Sequence, residues 1–139
     1  MADKEISIHD NEIMSYRMLL PEKKMVIETA YKGERIDIVF DEVLAYSFDN
    51  FQSEQNILFE AVDSSIEGFV NWYSRNTETQ KAFENGFPIQ GIKEPGELKT
   101  FFKKEGYRYY ELNASVGLDG FVIAKRMKLV RLSAPGNAD

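Results

Sequence analysis

Apolar residues recur at every second position along residues 36–48. Two runs show this pattern, and the acidic pair Asp41-Glu42 separates them. The apolar positions are Ile36, Ile38 and Phe40 in the first run and Leu44, Tyr46 and Phe48 in the second. Side chains at every second position share one face of a β-strand. The stretch therefore predicts two consecutive half-buried strands with a break at the acidic pair.

The same alternation predicts further strands on both sides of this stretch. They cover residues 12–20, 24–31, 56–62, 107–116 and 121–132. Short connections containing Pro21 and Gly33 join the first strands, and Gly117-Leu118-Asp119-Gly120 joins the last two. Parallel neighbours need much longer crossovers, so these connections favour antiparallel pairing.

The apolar period changes to that of a helix after residue 63. Ser64 and Glu67 have the spacing of a capping box, and Ile66, Phe69, Val70 and Tyr73 form one helical stripe. A short helical turn is predicted between Thr77 and Asn85, and another helix between Pro95 and Gly106.

Strands, helices and strands in separate blocks indicate an α+β fold. We predict a twisted antiparallel β-sheet, or a partly open barrel or sandwich, of about six to seven strands. Two or three helices from residues 64–105 pack on it. Residues 1–132 are predicted to form a single domain, because 139 residues suffice for one hydrophobic core. Residues 133–139 are predicted to be a disordered tail.

The amino-acid composition argues against several kinds of catalytic and metal-binding site. The chain has no cysteine and one histidine, His9, which argues against disulfides, thiolate catalysis and the usual zinc sites. No phosphate-binding glycine motif or catalytic motif is present, so the sequence predicts no catalytic residue, no metal and no cofactor. No run of apolar residues is long enough for a membrane helix, and the N-terminus lacks the pattern of a signal peptide. The expected location is the cytoplasm, with no membrane partner.

Charge is unevenly distributed along the chain. Residues 1–70 contain 6 basic and 15 acidic residues, whereas residues 71–139 contain 11 basic and 8 acidic residues, and the net charge is −6. An acidic protein is repelled by phosphate backbones, so nucleic acid is not an expected partner. The acidic first half offers a surface for a basic protein, but the charge balance favours the simpler explanation that surface charge keeps the protein in solution.

Two groups of residues are candidates for a binding site. Tyr107 and Tyr109 share one face of a strand in a Tyr-Arg-Tyr-Tyr run, a composition common at protein interfaces. Their strand propensity favours the alternative explanation, in which they are cross-strand packing residues. An aromatic pocket with a carboxylate is the other candidate, formed by Tyr46, Phe48, Glu60 and Trp72. The bases Lys125, Arg126, Lys128 and Arg131 fall on both faces of the last strand and suggest a protected sheet edge.

Three segments of the first half resemble small bacterial proteins of the YxiG-like, immunity-protein-like kind. They are His9-Asp10-Asn11-Glu12-Ile13, Ile36-Asp37-Ile38-Val39-Phe40-Asp41-Glu42-Val43 and Ile57-Leu58-Phe59. The resemblance implies a sheet-rich antitoxin that binds and blocks a toxin, with the acidic half facing a basic effector. It assigns no role to any single residue.

Two functions are therefore expected as alternatives. The first is a cytoplasmic protein-binding module of the immunity or antitoxin type. The second is a small-molecule-binding protein, or a carboxylate-based enzyme, that uses an aromatic-lined pocket. Either function is compatible with homo-oligomer formation through an exposed sheet edge.

Overall fold

The computed structural model describes residues 7–75, 81, 88–89, 91–92 and 94–132, without the side chains of residues 72–74. Its strands are β1 Glu12–Leu19, β2 Lys24–Tyr31, β3 Glu34–Asp49, β4 Ile57–Ser64, β5 Arg108–Val116 and β6 Asp119–Leu132. The helices within the described residues are α1 Ile66–Arg75 and α2 Pro95–Glu105.

All six strands belong to one antiparallel sheet in the order β1-β2-β3-β6-β5-β4. Pairing of Glu12 with Ile57 joins β1 to β4 and closes the sheet into a barrel. The backbone amide of Ile13 also donates to the carbonyl of Asn56 at 2.8 Å. The predicted α+β fold with an antiparallel sheet is confirmed.

The stretch 36–48 is one strand, and its prediction as two strands is wrong. β3 pairs with β6 on both sides of the acidic pair, from Arg35 opposite Leu132 to Asp49 opposite Asp119. Glu42 adopts a φ of 51° at the expected break. The backbone bends there without leaving the sheet, because the ladder with β6 resumes at Val43.

A register shift between Val43 and Ala45 changes which side chains face the barrel interior. Leu44 packs against the cluster under the helices, whereas Phe48 packs against the barrel core. The prediction that Leu44, Tyr46 and Phe48 share one face is therefore wrong at Leu44. An extra residue in one strand reverses the alternation, because side chains repeat with a period of two.

The barrel interior is filled mainly by alternate residues of β2, β3, β5 and β6. Its fully buried members include Met25, Ile27, Ile38, Phe40, Leu58 and Val122. One polar pair lies among them: Asn11 Nδ2 donates to Thr29 Oγ1 at 3.0 Å, and Thr29 Oγ1 donates to the Ile36 carbonyl at 2.6 Å. These bonds satisfy polar atoms that would otherwise be costly to bury.

The two helices cover the outer face of β5 and β6 through a second apolar cluster. Phe69 and Val70 of α1 meet Leu98 and Phe102 of α2 above Ile123. Ser65 caps α1, because its Oγ accepts from the amide of Gly68 at 3.0 Å. The predicted cap at Ser64 is therefore one residue too early.

Helix α2 has the predicted bounds. Pro95 occupies its first turn, and Gly106 ends it with a φ of 82° and an amide that donates to the Phe102 carbonyl. The predicted turn from Thr77 to Asn85 falls largely outside the described residues, and the predicted tail 133–139 lies entirely outside them. Neither described helix is long and apolar enough to cross a bilayer.

Candidate functional site

Three aromatic rings meet where the second half of β3 approaches β1. The Phe48 ring lies 5.0 Å from the Tyr16 ring, edge to face, and 5.5 Å from the Tyr46 ring, measured between centroids. Tyr16 is 44% exposed and Tyr46 is 37% exposed, whereas Phe48 also packs against the barrel core. We call Tyr16, Tyr46 and Phe48 the aromatic cluster. It is a partly exposed continuation of the core, and large exposed rings of this kind are typical of binding surfaces.

Two carboxylates lie opposite each other at the end of β3, one residue beyond Phe48 and on the other face of the sheet from its ring. Asp49 is the register partner of Asp119 on β6. Asn50 Nδ2 donates to Asp119 Oδ1 at 3.1 Å, and no base among the described residues forms an ion pair with either acid. Like charges at directly opposite positions of a sheet destabilise it. A cationic group bound at this strand end would relieve that repulsion.

Much of the acidic first half is neutralised within the molecule. Five of its acids pair with bases of the second half: Glu34 with Arg131, Asp41 with Arg126, Glu42 with Lys125 and Arg126, Asp63 with Arg108, and Glu67 with Lys99 and Lys103. The hydrogen bond from Lys103, at 2.6 Å, holds the pKa of Glu67 below its ordinary value. The surface along these pairs is therefore not a free acidic face for a partner.

The predicted pocket of Tyr46, Phe48, Glu60 and Trp72 is assembled only in part. Tyr46 and Phe48 touch each other on β3. Glu60 lies on β4, which β6 and β5 separate from β3 in the sheet, and its Oε2 accepts from Asn113 Nδ2 at 2.8 Å. Trp72 belongs to α1, but its side chain is outside the described part of the chain.

Tyr107 and Tyr109 both pack against the cluster under the helices, on the opposite face of the sheet from Tyr110. The Tyr107 ring stacks on Phe101 at 5.7 Å, and Lys125 Nζ lies 5.3 Å from its centroid. The predicted alternation is present, and these contacts agree with the packing explanation for both tyrosines.

A cavity of about 330 Å³ opens beside Tyr109. Its lining consists of Ser64, Ser65, Gly68, Phe69, Tyr109 and Glu111. Burial raises the pKa of Tyr109 to about 12, with further contributions from the charge of Glu111 and a hydrogen bond to it. The phenol is therefore neutral at physiological pH and donates to the carboxylate. The two groups form a polar part of the lining, and Phe69, whose ring lies 4.8 Å from the Tyr109 ring, forms an apolar part.

The sequence did not single out Tyr16 or Glu111. Tyr16 faces the barrel because a register shift between Ile13 and Ser15 moves β1 out of simple alternation. Glu111 stands two residues after Tyr109 on the same face of β5, and that spacing could have indicated the pair.

His9 lies shortly before β1 in the chain and contacts Asp10 and Phe59. Its Nδ1 is 3.2 Å from Asp10 Oδ2, and its ring meets Phe59 edge to face at 5.0 Å. Within the described ranges, no group of three or more His, Cys, Asp or Glu side chains has the geometry to hold a metal ion.

Comparison of the chain with protein-family models, curated proteins and solved structures finds no match in any of the three. The resemblance to YxiG-like, immunity-protein-like proteins therefore stays a prediction.

Proposed function

We propose that this protein is a protein-binding module of the immunity or antitoxin type, whose partner carries a basic surface. The observation that carries the proposal is the exposed aromatic cluster, which is followed along β3 by two carboxylates that pair with no base among the described residues. Tyrosine and other aromatic residues often supply most of the binding energy at protein interfaces. Opposed carboxylates favour a cationic group at the rim and speed its approach.

Ion pairs within the molecule limit which acidic side chains a basic partner could contact. The acids along β3 and α1 that pair with Lys or Arg are already occupied. Asp49 and Asp119 form no ion pair with a base in the described part of the chain, and their register pair is next to that of Phe48 and Gly120. The proposed contact surface is therefore the second half of β3 with Tyr16, rather than the whole acidic half.

The test is capture of a partner by the immobilised full chain and by a variant that carries Tyr16→Ala and Tyr46→Ala. We expect the wild-type chain to retain a basic protein whose binding weakens as salt is added. Loss of two interface rings should weaken binding by at least about tenfold, since one such residue is commonly worth more than 1 kcal/mol. Affinity for the captured protein is measured by calorimetry.

Tyr31→Ala is the matched control. Tyr31 is also a strand tyrosine with 44% exposure, but it lies at the opposite end of the β3 ladder from Asp49. We expect it to bind like the wild type. Equal affinity of all three chains for the captured protein, or capture that salt does not affect, would contradict the proposal.

A second candidate function is the binding of a small polar molecule in the cavity beside Tyr109. Its volume of about 330 Å³ is at the lower end of the range for ligand sites. The Glu111 carboxylate would accept a hydrogen bond from an amine or hydroxyl group.

The test is a thermal-shift screen of small amines and polyols. A compound that binds should raise the melting temperature in proportion to the logarithm of its concentration. Glu111→Gln should abolish the shift, and Glu60→Gln should keep it; no shift with any compound, or the same shift in Glu111→Gln, would count against this function.

A further inference from the structure

The second half of β3 is a sheet edge in which the only charged side chain is Asp49, the last residue of the strand. Residues 45–49 pair with β6, and no other described strand pairs with them. The segment Val43–Phe48 contains no Lys, Arg, Asp or Glu. The second half of β6 is also an edge, since among the described strands only β3 pairs with residues 125–132, but it carries Lys125, Arg126, Lys128 and Arg131. Charged residues protect an edge from pairing with other chains, and residues 43–48 of β3 contain none.

One hydrogen bond shows which way the backbone N–H and C=O groups point along this edge. The amide of Val43 donates to the Lys23 carbonyl at 2.8 Å, so it points away from β6. The backbone N–H and C=O of its register partner Ala124 therefore point toward β5. Along β6, the backbone groups of successive residues point alternately toward β3 and toward β5. Val122 and Gly120 therefore also face β5. Their partners Tyr46 and Phe48 present N–H and C=O groups to the open side of β3.

The two faces of the same edge differ in chemistry. Tyr46 and Phe48 share the face of Val122, which belongs to the barrel core. Asp49 and its partner Asp119 lie on the other face, because side chains alternate along the strand. A strand added beside β3 would thus place every second side chain against aromatic rings and the others on the side of the two carboxylates.

We propose that β3 binds its partner by strand addition, and that the bound segment is extended, with alternating apolar and basic side chains. The inference rests on the proposed function and specifies its mode of recognition. In this mode, main-chain hydrogen bonds supply affinity and alternate side chains supply specificity. The N–H and C=O groups of Tyr46 and Phe48 form the new ladder, the apolar side chains cover the aromatic cluster, and a basic side chain approaches Asp49.

The test uses the full chain and a capped hexapeptide of alternating arginine and valine as the probe. Amide signals of Tyr46 and Phe48 should shift on titration, and their hydrogen exchange should slow. Two further peptides carry N-methyl groups on all arginine amides or on all valine amides. Only one set of amides can face β3, so one methylated peptide should bind at least about tenfold more weakly and the other should bind like the parent. No binding by the parent peptide, or equal binding by all three, would overturn strand addition.

The contribution of the Asp49 carboxylate, on the face opposite to the aromatic rings, is tested with Asp49→Lys. This substitution should weaken binding of the parent peptide at least about tenfold at low salt. Glu105→Lys makes the same change of charge at the exposed end of α2 and should leave binding unchanged. A chain that dimerises through this edge without peptide would also overturn the proposal. If the Tyr16→Ala and Tyr46→Ala variant loses the protein partner while the peptides fail, protein binding stands and strand addition does not.

Discussion

Replacing Gly120 with alanine is expected to cost about 3 kcal/mol or more of folding free energy, which is a large part of the stability of a typical domain. A Cβ at this position would lie 1.9 Å from the Ser47 carbonyl oxygen and 2.9 Å from the Phe48 Cα. Both atoms belong to the backbone of β3, so no side-chain rotation can relieve the overlap. The φ of 155° adds a second penalty, because residues with a Cβ rarely adopt it.

Urea denaturation followed by circular dichroism measures the effect as a lower midpoint at an unchanged slope. Gly96→Ala is the control, since a Cβ there meets no atom within 4 Å and the residue lies in the first turn of α2. We expect this control to be neutral or slightly stabilising, because alanine favours a helix more than glycine does. A Gly120→Ala protein as stable as the control would show that β3 and β6 are not so closely paired.

Local chemistry accounts for the elements that the sequence predicts well. β2 has the predicted limits, Lys24–Tyr31, because its alternation is regular and turns bound it on both sides. α2 ends where Gly106 adopts a left-handed conformation. The continuity of β3 could not be predicted in this way. Its bend at Glu42 is held by pairing with β6 and by Arg126, whose Nη2 donates to Glu42 Oε2 at 3.0 Å from 84 residues further along the chain.

The candidate site was predicted in part for the same reason. Tyr46 and Phe48 stand out in the sequence because they alternate within one strand. Tyr16 joins them only in the folded chain, where its ring on β1 lies 5.0 Å from the Phe48 ring on β3. The acidic balance of the first half is a property of composition, and the ion pairs that neutralise much of it form between distant segments. What remains for a partner is therefore a smaller surface than the sequence suggested.

The two halves of β3 differ in how they pair with other strands. The first half is paired on both sides, by β2 and β6, and its alternate residues fill the barrel. The second half carries Tyr46 and Phe48 and pairs, among the strands that the structure describes, with β6 alone. Because the same strand continues through the bend, the rigid first half fixes the position of the proposed binding edge. Sites on strands anchored in this way are held more accurately than sites on loops.

Phe40→Ala is expected to destabilise the fold by about 3–5 kcal/mol, the usual cost of removing a phenyl ring from a packed core. Phe40 is 0% exposed, lies between Met25 of β2 and Met127 of β6, and meets the Tyr110 ring at 5.5 Å. The neighbouring strands hold the barrel walls apart, so the cavity should not collapse fully. Phe51→Ala is the control, since Phe51 is 69% exposed and should change stability by less than about 0.5 kcal/mol. Similar urea midpoints for the two variants would mean that Phe40 does not occupy the centre of the core, and the anchoring of the β3 edge would lose its basis.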